Sequence, residues 1–150
     1  MEAIEKMKTG LVELDLATIK QLQRGFFITL DINEIKRDYS NASVRAEASR
    51  ILNALIDSPK PEYGLSTSGD KKYFWAGIRL LEAKGYISEF LVPTKDTEEY
   101  HWTIMKFETY YDLTENGVRE LKKLGLLKEE RRGGPQTVIE DRKKYTSFWG

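Results

Sequence analysis

The chain has no cysteine. Disulfides, thiolate zinc sites and cysteine nucleophiles are therefore excluded, and a reducing compartment suits it. His101 is its one histidine, so a His-based metal pair is excluded as well. Charge of neither sign is in excess, since 24 Lys and Arg balance 24 Asp and Glu. Any attraction to nucleic acid must then come from a local basic patch rather than from the whole protein. No apolar run approaches the ~18 residues of a membrane span. The first residues, "MEAIEKMKTGLVELDL", mix acids and bases and do not read as a signal peptide. There is no P-loop and no Gly-rich dinucleotide turn. The adjacent pairs Glu98/Glu99 and Glu129/Glu130 need not converge on a substrate. Together these absences predict a cytoplasmic protein that is not an enzyme, holds no cofactor or metal, and has no membrane partner.

What is present is a 150-residue chain with 40% hydrophobic residues, enough for one domain with a single core and an added arm. From Leu11 to Gln23, apolar residues at Leu11, Leu14, Ile19 and Leu22 predict an amphipathic helix. "GFFITL", residues 25–30, is apolar and β-leaning. Asp31 then offers an N-cap with Glu34 three residues on, a capping-box pattern opening a short helix to about Tyr39. From Val44 to Asp57, Val44, Ala48, Ile51, Leu52 and Leu55 share one face and Arg45, Ser49, Arg50 and Asn53 the other. The prolines and glycine of "SPKPEYG" stop that helix, and Ser66, Ser68 and Asp70 are N-cap candidates for the next.

That next helix, about Lys71 to Lys84, buries Phe74, Ile78 and Leu81 and ends at Gly85, where a left-handed residue is wanted. "YISEFLVP" and "HWTIMKFETYYDL" predict an antiparallel hairpin with "TKDTEE" as its polar tip, and Met105, Phe107, Tyr111 and Leu113 alternating onto one face. Thr114 caps a last helix that ends at Gly125. Residues 128–150 are charged and interrupted by Gly and Pro, and read as a mobile tail.

From Val44 onward the order is helix, turn, helix, hairpin, helix, which is that of a winged helix. Three stretches carry a family likeness: "ILNALIDSPKPEYGL", "FWAGIRLLEAKGYI" and "YYDLTENGVRELKKL". Together they resemble the PadR-like winged-helix regulators and, more loosely, the MarR-like ones. The resemblance covers Ile51 to Leu124, with "YYDLTENG" its most specific piece. It implies an α+β fold: a winged helix-turn-helix with a two-stranded wing over residues 43–127, preceded by a helical extension, residues 1–42, as a candidate dimerisation arm. Such domains carry a full helix between the opening and recognition helices. Here "STSGDKKY" follows "EYGL" at once. Either that helix is reduced to a turn, or the helix-turn-helix lies upstream in "DINEIKRDYSNASVRAEASRILNAL".

The resemblance makes helix 71–84 the reader of double-stranded DNA. Lys72, Trp75, Ala76 and Arg79 lie opposite the buried stripe at ~100° per residue. Lys71 and Lys72 suit phosphates, and Arg79 suits phosphate or guanine. Trp75 falls where PadR-like proteins often place a tyrosine. Lys95 in the wing is a further phosphate contact. The alternative for this stripe is an ordinary solvated face. Arg45, Ser49 and Asn53 form a rival reading face upstream, or the polar face of a structural helix. The wing tip adds Asp96, Glu98 and Glu99 to Lys95, and an acidic tip is repelled by a minor groove and open to a protein partner. Arg131, Arg132, Arg142, Lys143 and Lys144 read first as a solubilising tail with interspersed Glu and Asp, and alternatively as a tail that follows DNA electrostatically.

The function expected is sequence-specific double-stranded DNA binding by a dimeric transcriptional regulator. One module offers few base contacts, so specificity implies a homodimer. Its contact would lie on helix 11–23, with 115–127. Two alternatives stay open: a winged helix used as a protein–protein interaction module in a larger assembly, and a replication or partition DNA-binding factor.

Overall fold

The computed structural model describes residues 10–25, 31–67, 71–93, 97–99, 102–104 and 106–127, with Val138. Four helix starts are set by side chains that satisfy amides left unpaired at a helix N-terminus. Asp15 accepts from the Thr18 amide at 2.8 Å and opens α1, Leu16–Arg24. Asp31 accepts from the Asn33 amide at 3.1 Å and opens α2, Ile32–Tyr39. Asn41 accepts from the Ser43 amide at 2.8 Å and opens α3, Ala42–Ala54. α1 therefore begins later than the periodicity from Leu11 predicted, because Asp15 is extended and caps it; Leu11 and Val12 are buried ahead of the helix.

After α3 comes β1, Lys60–Pro61, and at once α4, Glu62–Thr67. This corrects the reading of "EYGLST" as a turn followed by a cap, since Ser66 lies inside α4. The intermediate helix is present but only 6 residues long. α5 is Lys71–Ala83 and β2 is Ile87–Pro93. β3, Thr97–Glu99, pairs with β4, Trp102–Ile104, and β5 is Phe107–Leu113. Thr114 opens α6, Glu115–Lys123, by accepting from the Gly117 amide at 3.1 Å.

The architecture is α+β. Among the described residues, six helices accompany a three-stranded antiparallel sheet in the order β1-β5-β2. β5 is the middle strand, with Lys60 opposite Tyr111 on one side and Glu89 opposite Tyr111 on the other. The outer ladder continues the hairpin, Thr97 opposite Ile104 and Glu99 opposite Trp102, one residue out of step with β2–β5. Thr97 to Glu99 of "TKDTEE" are thus a paired strand and not the tip of the hairpin.

One hydrophobic cluster joins Leu11, Ile19, Leu22 and Ile35 from the N-terminal third to Ile51, Leu52, Phe74, Ile78 and Leu81. α5 is the central helix: α1, α2, α3, α4 and β2 all touch it. Its buried face is Phe74, Gly77, Ile78, Leu80 and Leu81, as the periodicity predicted. Phe107 departs from the predicted strand alternation. It is 53% exposed, whereas Tyr111 and Leu113 on the same face are buried. No described helix is long and apolar enough to cross a membrane.

Candidate nucleic-acid interface

With four helices and the sheet on α5, one stripe of it is left to solvent. Positions 72, 75, 79 and 82 recur at the three-and-four spacing of a single helix face. Lys71, Lys72, Arg79 and Glu82 are exposed there, with Trp75 among them at 49% exposure. Trp75 stands edge-on to the buried Phe74 ring, with centroids 5.0 Å apart and planes at 76°. That geometry matches ring edge to ring face and holds the indole against the helix. The Lys72 ammonium lies 5.4 Å from the Tyr73 ring centroid. At the start of α5 the surface is therefore cationic and aromatic.

At the other end it turns acidic. Glu82 is held above the usual carboxylate range, first by its partial burial and then by the nearby Glu89 charge, with Arg79 opposing both. Glu89 arrives from β2, and Glu62 arrives from α4 to take the Tyr111 hydroxyl at 3.4 Å. Burial, with Glu62, Glu89 and Glu82 around it, pushes the Tyr111 hydroxyl far above its ordinary value. The sequence reading missed this acidic end. Glu82 was visible as the next member of the Arg79 stripe, three residues on. Glu62 and Glu89 carry no such signal, because the fold alone brings them there.

The exit of α5 is locked to the entry of α6. Gly85 has φ +74°, Gly85 N–H donates to Glu82 at 2.9 Å, and Tyr86 N–H donates to Leu81 at 3.0 Å. These are the paired bonds of a Schellman ending. The Tyr86 carbonyl accepts from the Thr114 amide at 2.9 Å, the Gly85 carbonyl from the Thr114 hydroxyl at 2.5 Å, and the Lys84 carbonyl from the Asn116 amide at 3.4 Å. Gly117 has no side chain because the Tyr86 backbone occupies the space a Cβ would need. "AKGY" and "LTENG" thus interlock, which fixes the direction in which α5 leaves the core.

The rival upstream face is not built as predicted. Ser49 is fully buried, and its hydroxyl donates to the Arg45 carbonyl at 2.9 Å. Ser49 cannot reach a ligand from there, a correction to its placement on an outward polar face: the hydroxyl is taken up by the helix's own backbone. Arg45 is half-buried and Asn53 exposed. Arg50 is used inside the protein: it donates to the buried Glu47 carboxylate at 2.5 Å and to the Leu65 carbonyl at 2.6 Å, tying α4 to α3. Lys95, Asp96, His101, Met105 and the basic tail residues lie outside the described residues.

A second polar feature is a cleft of about 320 Å3 between α1, the end of α5 and α6, with Asp15, Thr18, Lys84, Tyr86 and Glu120 on its walls. The Lys84 side chain is 5% exposed and its ammonium is 3.9 Å from Asp15. Burial holds Lys84 below its ordinary value, against the attraction of Asp15 and Glu13. α1 is fastened here, and its residues Thr18, Ile19 and Leu22 are consumed in the chain's own core, leaving Leu16 exposed.

No protein-family model, no curated protein and no solved structure matches this chain.

Proposed function

We propose that the protein is a winged-helix, sequence-specific DNA-binding regulator that places the first half of α5 in the major groove. The observation that carries this reading is the α5 stripe of Lys71, Lys72, Trp75 and Arg79, exposed on a helix whose opposite face is core. The order α3, β1, α4, α5, β2, β5, α6, with the sheet order β1-β5-β2, supports the winged-helix reading.

Lys71 and Lys72 sit at the helix start and contact phosphates, where the positive end of the helix dipole adds attraction. Arg79 reaches a guanine edge or a phosphate. Trp75 packs its exposed ring edge on a sugar or a thymine methyl. Glu82 sets the far limit of the contact, since a carboxylate is repelled by the phosphate backbone. The helix therefore enters N-terminus first. A second copy supplies the second half-site of a palindrome. Leu16 and Ile32, the exposed apolar residues of α1 and α2, are where that copy makes contact.

The test is fluorescence anisotropy of labelled duplex from the region upstream of the protein's own coding sequence, against a scrambled duplex, across a salt series. Arg79→Ala costs about 1–3 kcal/mol on the native duplex and relaxes specificity. Lys72→Ala weakens both duplexes alike and lowers the salt slope by about one. Trp75→Ala weakens the native duplex. Binding that survives all three changes, or no binding to either duplex at low salt, overturns the reading.

A further inference from the structure

β2 is the last strand of its sheet, and among the described residues no strand pairs with its outer edge. Alternate residues of an antiparallel edge strand direct their N–H and C=O away from the sheet, a template for another strand. An edge 7 residues long with a large exposed apolar side chain is the kind that proteins ordinarily blunt with lysine or a bulge. β2, "ISEFLVP", has no basic residue.

The register places Glu89, Leu91, Pro93 and Phe107 on one face of the hairpin, continuing the face on which Tyr111 and Leu113 are buried. Toward the far end of β2 that face is exposed, with Leu91 at 59% and Phe107 at 53%. Glu89 is exposed beside them, and its charge acts on Glu82 of α5. The strip is thus apolar toward the wing and negative toward α5, with an unused backbone edge along it.

We propose that the outer edge of β2 is a docking site for an extended segment of another protein, one that adds a strand to the sheet and alternates basic with apolar side chains. Its Lys or Arg lies beside Glu89 and Glu82, and an apolar side chain covers Leu91 and Pro93. Charge complementarity selects this occupant over a second copy. Antiparallel self-pairing centred on Phe90 sets each Glu89 against a Leu91, and centred on Glu89 it sets carboxylate against carboxylate, which is destabilising. Backbone pairing supplies affinity and the alternating side chains supply specificity. Residues 87–93 lie outside α5, and Glu82 alone is shared with its stripe, so strand addition at β2 does not require that α5 bind DNA.

The experiment uses the full chain, isotope-labelled, titrated with an extended peptide alternating lysine and valine and followed by amide chemical shifts. The shifts should concentrate on residues 87–93 and weaken with salt. Glu89→Lys and Leu91→Lys, both at exposed positions, should each weaken binding about tenfold with the circular dichroism spectrum unchanged. A peptide with alternate amides N-methylated should not bind, since only strand addition needs those donors. Equal binding of a glutamate–valine peptide, shifts centred away from β2, or full binding of the N-methylated peptide would each overturn the proposal. Shifts in β2 that grow with protein concentration alone, with a doubled sedimentation mass, would assign the edge to a second copy instead.

Discussion

Replacing Gly117 by alanine tests the joint between α5 and α6 directly. At an open helix position the change stabilises by about 1 kcal/mol, the difference in helix propensity. At position 117 the new Cβ would lie 3.1 Å from the Tyr86 carbonyl carbon and 3.2 Å from its Cα, with the carbonyl oxygen nearer still. All three atoms are backbone, so none can swing aside like a side-chain tip. The Tyr86 carbonyl accepts the Thr114 amide at 2.9 Å, and the Tyr86 amide closes the Schellman ending of α5 at 3.0 Å. Relief therefore requires α6 to move off Tyr86. Overpacking of this kind costs about 1–3 kcal/mol. Losing the Thr114 amide bond costs about 1 kcal/mol more. Set against the propensity gain, the net loss is about 2 kcal/mol, or a fall in Tm of roughly 4–8 °C for a chain this size. Thermal unfolding by circular dichroism at fixed pH measures it. Gly25→Ala is the control, because among the described residues its Cβ meets helix carbonyl oxygens at 3.6 and 3.7 Å, ordinary contact distances, and its Tm should not fall. A Gly117→Ala protein as stable as the Gly25→Ala protein would refute the close approach of α6 to Tyr86.

Arg50→Met leaves the buried Glu47 carboxylate without its guanidinium and should destabilise by about 3 kcal/mol, read by denaturant unfolding; a loss within experimental scatter would mean α4 is not held through this residue. The Asp15 carboxyl is lowered chiefly by the Thr18 hydroxyl and amide, so its stabilisation is present above 3.8 and lost as pH falls through its folded pKa. Asp15→Ala should therefore cost about 1 kcal/mol at pH 7, and the gap to the native protein should close in acid; a gap independent of pH would refute the charged cap. Because Glu82 is raised, its charge disfavours the folded state above its folded pKa, and Glu82→Gln should unfold at higher temperature at neutral pH than the native protein, with the gain vanishing as pH falls toward 4.5. If α5 reads DNA, the same change should also tighten binding in the anisotropy assay.

Much of the fold was legible from residue spacing. Val44, Ala48, Ile51, Leu52 and Leu55 are buried as their period required, and so are Phe74, Ile78 and Leu81. Asp31, Thr114, Gly85 and Gly125 stand at the helix ends where local chemistry wants them. These features depend on neighbours within a few residues, through capping, positive φ and the turn of a helix, so the local sequence contains their cause. "EYGLST" escaped because a helix this short has too few turns to show a period, and its tie to α3 comes through Arg50, fifteen positions away. The candidate site was legible only in its first half. Lys71, Lys72, Trp75 and Arg79 follow from helical spacing.

Sequence alone thus determined the apolar stripes of α3 and α5 and the helix ends at Asp31, Gly85, Thr114 and Gly125, because periodicity and capping are local. Only the tertiary structure decided which polar residues are free to act. It buried Ser49, spent Arg50 on Glu47 and Leu65, and gathered Glu62, Glu89 and Glu82 around the Tyr111 hydroxyl. It also left Leu91 and Phe107 exposed on the face that buries Tyr111 and Leu113. The physical reason is that a polar side chain has no fixed preference until its neighbours are known. Those neighbours come from elements far apart along the chain, set side by side by the packing of the core.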